Sequence, residues 1–148
     1  MAETTPVFYW DTSALLSRFF TDGNSAKARQ WAEIDAEHLL SSLAHAEACA
    51  VIARMTREGL IDPALPEALH SAMGSSPWRM LNGLSDRDLV ADLALKWPLR
   101  GADLWHLGLA VSLKKDLPEI RLITFDARLL AAASGEGLAV NNRNRSPG

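Results

Sequence analysis

Val7-Phe-Tyr-Trp-Asp-Thr-Ser-Ala-Leu-Leu16 opens with an apolar, aromatic and β-branched run that stops abruptly at an acid. Val7 to Trp10 reads as a strand, because β-branched and aromatic side chains suit a pleated sheet. Thr12 and Ser13 lead into Ala14 to Phe20, which reads as a helix. The same order of strand, acid and helix recurs at Leu122-Ile-Thr-Phe-Asp126, ahead of a helix over Ala127 to Ser134. Between these ends, helices are expected from Ser25 to about Ile34, Leu43 to Glu58, Ala64 to Met73 and Gly101 to Lys115. A further helix, with Ser85 and Asp88 as its capping box, ends before Pro98. Further strands are expected at His38 to Ser41, Trp78 to Leu81 and Arg121 to Thr124, with a last short one at Leu138 to Val140. Strands alternating with helices imply an α/β fold with a mainly parallel sheet covered on both faces. The 148 residues suit a single domain, with a polar tail from about residue 141.

Composition sets limits around that frame. Apolar residues make up 48% and charged residues 22%, a globular balance. The net charge of −3 makes no global case for nucleic-acid binding, although a bound cation can supply local positive charge. No apolar run approaches the length of a membrane span, and the first residues lack a signal-peptide pattern, so a soluble, cytoplasmic protein is expected. Cys49, the one cysteine, is expected to pack in a reducing compartment. The small-residue stripe Ala46, Cys49, Ala50 and Ala53 can pack against a helix, within the subunit or across subunits.

Four acids carry the chemistry. Asp11 and Asp126 each have an ordinary reading as helix N-caps. Two acids at the ends of neighbouring parallel strands also point their charge into one crevice, where ligands gather in open α/β sheets. Glu47 falls at the edge of the apolar face formed by Ala44, Ala48, Val51, Ile52 and Met55. Asp103 stands in a helix that is apolar nearly all round, which predicts a buried acid that needs a partner or a metal. His45 and His106 are expected to be packing or polar-edge residues, with His106 one turn from Asp103 and placed to orient it. Trp10 and Trp105 are expected in the core.

Taken together, these segments resemble PIN-domain nucleases. Val7–Leu16 resembles the opening strand and helix of that family, and Ala46-Glu-Ala-Cys-Ala-Val-Ile-Ala-Arg54 its acidic helix. Leu99-Arg-Gly-Ala-Asp-Leu-Trp-His-Leu107 resembles the later acidic helix start, and Leu122–Leu130 the final acidic strand end. The short format is similar to VapC-type toxins of toxin–antitoxin pairs. The resemblance implies a three-layer α/β/α sandwich with a mainly parallel sheet of about four to five strands, and Mg²⁺- or Mn²⁺-dependent cleavage of RNA. It assigns the acidic site to Asp11, Glu47, Asp103 and Asp126, with Asp11, Asp103 and Asp126 on the metal and Ser13 and Thr124 supporting them. Some members carry another acid two residues after the last; here that position is Arg128, which leaves one or two metal ions open. Arg54, Arg100 and Arg128 are candidates for RNA phosphate contacts. An antitoxin partner and a homodimer are implied as well. Competing readings are an inactive RNA- or protein-binding module and a phosphatase-type enzyme. The latter, in its haloacid-dehalogenase form, needs a second Asp where Ser13 stands.

Overall fold

All four residues of β1 (Val7–Trp10) are buried, because the strand packs on both sides. Side chains alternate across a strand, so Phe8 and Trp10 enter one apolar cluster while Val7 and Tyr9 enter another. The structure, a computed structural model, describes residues 4–140; the expected polar tail lies outside the described residues. After β1 come α1 (Thr12–Phe19), α2 (Ser25–Ala32), β2 (Glu37–Ser41), α3 (Ser42–Arg57) and α4 (Leu65–Met73). The chain continues through β3 (Trp78–Leu81), α5 (Arg87–Lys96), α6 (Gly101–Lys114), β4 (Ile120–Ile123) and α7 (Ala127–Gly135).

The strands lie in the order β3-β2-β1-β4, and every neighbouring pair is parallel. Parallel neighbours need crossovers, and helices supply them. Leu15, Ala28, Ile52 and Met73 bring α1 to α4 onto the face of Phe8 and Trp10. Leu93, Leu107, Leu109 and Leu129 bring α5 to α7 onto the face of Val7 and Tyr9. The result is the expected three-layer sandwich. From β1 the chain moves outward to β2 and β3, then returns to the far side of β1 for β4. The strand order therefore switches between β1 and β4, and in open α/β sheets ligands gather beyond the carboxyl ends of the strands at such a point.

Two local expectations are corrected, and a third, left open, is narrowed. Leu138 to Val140 form no strand: Gly137, at φ +75°, turns the chain after α7, and Leu138 meets β4 through one bond from the Leu122 N–H. The sheet among the described residues thus has four strands. Asp86, not Ser85, caps α5, because its carboxylate accepts from the amides of Asp88 and Leu89. Ser85 instead donates its hydroxyl to the Trp105 carbonyl, tying the α5 approach to α6. Ala46, Ala50 and Ala53 are exposed, so among the described residues no helix covers that stripe. No helix of the described residues is long and apolar enough to cross a membrane.

His38 is buried among Phe8, Trp10 and Trp78. Its Nδ1 accepts from Trp10 Nε1 at 3.0 Å, which leaves Nε2–H to donate to the Ile34 carbonyl at 2.9 Å. Those partners hold the neutral ring. Burial pushes its pKa down, against smaller upward pulls from the Ile34 carbonyl and Glu37. The unfolded chain therefore binds more protons than the folded one as pH falls through the ordinary histidine value of 6.5, and stability falls in that window. Urea unfolding should show stability declining from about pH 7 to about pH 5, with a shallower decline in His38→Gln. Equal slopes would remove His38 from this account. Gly135 offers a second check, since a methyl there would strike the rigid Trp97 indole. Gly135→Ala should lower stability by about 1–3 kcal/mol in the same assay. Gly23→Ala, in open space, should stay within about 0.5 kcal/mol.

Candidate active site

Asp11 follows β1 directly, and its amide still belongs to the sheet, donating to the Ile123 carbonyl of β4 at 3.1 Å. The side chain turns back to cap α1, accepting from the Ala14 amide at 2.8 Å. Ser13 Oγ donates to the same carboxylate at 2.8 Å and Thr124 Oγ1 at 2.5 Å. At 3% exposure, burial pushes the Asp11 pKa up; Thr124, Ala14 and Ser13 pull it down, and the charge of Asp126 adds to the rise. The two hydroxyls also reach the opposite strand end. Thr124 Oγ1 accepts from the Asp126 amide at 3.0 Å, and Ser13 Oγ accepts from the Phe125 amide at 3.3 Å. The ordinary reading of Asp11 as a helix cap holds, and the cap stands at the carboxyl end of β1 beside Thr124.

Asp126 caps α7 through the Leu129 amide at 2.9 Å and remains exposed. Glu47, half-buried on α3, accepts from Thr12 Oγ1 at 2.8 Å. Its Oε1 also lies 3.4 Å from His106 Nε2. His106 was expected to orient Asp103 and instead faces Glu47, because the Tyr9 hydroxyl sits 2.6 Å from its Nδ1 and aims the other nitrogen toward α3. Burial pushes the His106 pKa down, opposed by Glu47 and Asp103.

Asp103 is half-buried rather than buried. The first turn of α6 lies at the rim, while His106 to Ala110 form its buried stretch across the sheet. Desolvation raises the Asp103 pKa, and Asp126, Asp11 and Glu47 raise it further against the opposing effect of His106. The predicted acids thus face one region and feel one another's charge. Among the described residues, no lysine or arginine forms an ion pair with any of them. Their oxygens do not close on one point, since no three of these acids bring ligand atoms within 4.8 Å of one another. An all-oxygen donor set carrying unpaired negative charge suits a hard divalent cation.

Arg54, Arg100 and Arg128 are all exposed, Arg100 just ahead of α6 and Arg128 in the first turn of α7. Trp10 is fully buried as expected. Trp105 is half-exposed, and with Ser42, Leu43, Gly101 and Ala102 it lines an open hollow of about 520 Å³ between the starts of α3 and α6. Sequence reading missed that hollow, and it missed Thr12 as the donor to Glu47. The position of Thr12 beside Asp11 was the one available signal.

The PIN domain family profile matches residues 8–135. Among solved structures, PAE2754 from Pyrobaculum aerophilum aligns over 91% of this chain and 88% of its own, with a TM-score of 0.63 and 21% identity. VapC20 of Mycobacterium tuberculosis, a Sarcin-Ricin loop cleaving toxin, aligns over 84% of this chain and 94% of its own, with a TM-score of 0.56 and 16% identity. At such identities these likenesses speak to the fold. No curated protein matches the sequence. With the family profile spanning the sheet and the crevice at its carboxyl end, the chain belongs to the PIN domain family, whose members are nucleases.

Proposed function

We propose that this protein is a Mg²⁺- or Mn²⁺-dependent endoribonuclease. The observation that carries the proposal is the gathering of Asp11, Glu47, Asp103 and Asp126 near the carboxyl ends of β1 and β4, with no lysine or arginine among the described residues paired to them. A phosphodiester is itself an anion, so this gathering would repel it if left bare. Asp11, Asp103 and Asp126 would hold the ion, directly or through waters. When bound, such an ion supplies positive charge to the phosphoryl oxygens and lowers the pKa of a water in its shell.

The remaining work falls to the chain's own side chains. Ser13 and Thr124 hold Asp11 in one orientation, so its carboxylate presents a fixed face to the crevice. Thr12 and His106 both meet Oε1 of Glu47, which leaves Oε2 as the oxygen to orient a water and accept its proton. In-line attack by that water would leave a 5′-phosphate and a 3′-hydroxyl, with no need for the substrate's 2′-OH as nucleophile. Arg54, Arg100 and Arg128, exposed on the elements that carry the acids, are proposed to contact the RNA backbone.

The family match and the likeness to VapC20 support RNA as the substrate and a toxin's role in the cytoplasm. An antitoxin whose tail covers the acidic site, and a homodimer as the working form, belong to the same proposal. One fold housing the site over residues 1–148 completes the proposal.

The direct test is cleavage of a structured RNA with Mn²⁺, with and without EDTA. Asp11→Asn retains a good N-cap and should fold, yet lose chelator-sensitive cleavage. Equal cleavage by that variant, or indifference to EDTA, would overturn the metal assignment. Glu47→Gln should lower kcat by about 10²–10⁴-fold if Glu47 handles the proton of water. Thr124→Val should cost about 10–100-fold in metal affinity or activity, through a loosened Asp11.

A further inference from the structure

His45 and Cys49 stand four residues apart on α3, one helical turn, so their side chains share a face. Cys49 Sγ lies 3.7 Å from His45 Nε2 and 4.0 Å from its Nδ1. His70 reaches the same place from α4, its ring centroid 5.4 Å from that of His45. One ligand atom from each of the three lies within 4.8 Å of the others. In a tetrahedral zinc site, with Zn–S about 2.3 Å and Zn–N about 2.0–2.1 Å, neighbouring ligand atoms sit about 3.3–3.6 Å apart. The Cys49–His45 pair is therefore close to the spacing of a loaded site, and no pair is more than about 1.5 Å wider than one, a gap that side-chain rotation can close. His45 and Cys49 are half-buried and His70 is exposed, so the group is reachable from solvent.

We propose that His45, Cys49 and His70 form a second metal site, for Zn²⁺ or a similarly borderline-soft divalent ion, distinct from the carboxylate crevice. Two imidazoles and a thiol select against Mg²⁺ and Mn²⁺, which favour oxygen donors. Glu47 lies two residues from His45, about 200° around α3, and so faces the other way. Three protein ligands leave a fourth position to water. Binding releases the thiol proton to solvent, since the thiolate is the ligand. Because the ligands come from two helices separated by the turn at Gly59, the ion fastens α4 to the helix that carries Glu47.

Co²⁺ titration of the reduced protein tests this, because thiolate ligation gives a ligand-to-metal charge-transfer band that carboxylates cannot. One equivalent of Co²⁺ should develop that band together with tetrahedral ligand-field absorption, and Zn²⁺ should bleach both while excess Mg²⁺ does not. Cys49→Ser should abolish the band. His70→Ala, a change at an exposed position, should weaken Co²⁺ affinity at least tenfold and remove the rise in Tm that Zn²⁺ gives the parent. Asp11→Asn should leave the band intact, which separates this site from the nuclease crevice whatever the fate of that reading. No thiolate band, a band of unchanged affinity in His70→Ala, or a band lost in Asp11→Asn would overturn the proposal.

Discussion

Removing an ionised carboxylate from water costs several kcal/mol unless neighbouring dipoles replace the lost hydration. Asp11 is in that position, nearly without exposure and with the charge of Asp126 acting on it. The α1 amide dipoles and the hydroxyls of Ser13 and Thr124 offset part of that cost. They also fix where the acid points. Thr124 is the tightest part of this arrangement, since one oxygen donates to Asp11 and accepts from the Asp126 amide. The ends of β1 and β4 are thereby tied by a side chain as well as by the sheet. Among the described residues no lysine or arginine pairs with these acids, and the proton affinity of Asp103 is raised by burial and by three other acids.

The sheet order explains why these groups meet at all. Asp11 and Asp126 are far apart in sequence, but β1 and β4 are neighbours, in register from Val7 with Ile120 to Trp10 with Ile123. Glu47 arrives because α3 starts at the carboxyl end of β2, the neighbour of β1 on the other side. Asp103 arrives because α6 begins at the same end of the molecule, with His106 bridging toward Glu47. Packing on the two faces is thus what sets the crevice. Trp10 fills one face of β1 and Tyr9 the other, and the Tyr9 hydroxyl aims the histidine that meets Glu47.

Much of this could be read from residue types and spacing. Val7–Trp10 and Leu122–Asp126 announced themselves by the same abrupt change from strand to acid to helix, and the structure puts both acids where that change predicts. The parallel sheet covered on both faces followed from the alternation of strands and helices, although one of the five expected strands, Leu138 to Val140, does not form. What spacing could not show was direction around a side-chain bond. His106 was placed one turn from Asp103 correctly, yet its ring faces Glu47, because Tyr9, distant in sequence, holds it. Asp103 looked buried because its helix is apolar, but a helix crossing a sheet buries its middle and leaves its first turn at the rim. Cys49 and His45 read as packing residues because their third neighbour, His70, comes from another helix. Trp105 read as core for a similar reason: sequence shows that a ring is apolar, not that one side of it borders a hollow.

The most direct test of the central claim is a Mn²⁺-soaked crystal measured for anomalous scattering. The account predicts a peak at the mouth of the β1–β4 crevice, with oxygens of Asp11, Asp103 and Asp126 within coordinating or water-bridged reach of it. A crystal that shows no peak there under saturating Mn²⁺, or shows these side chains facing away from an ion bound elsewhere, would contradict it.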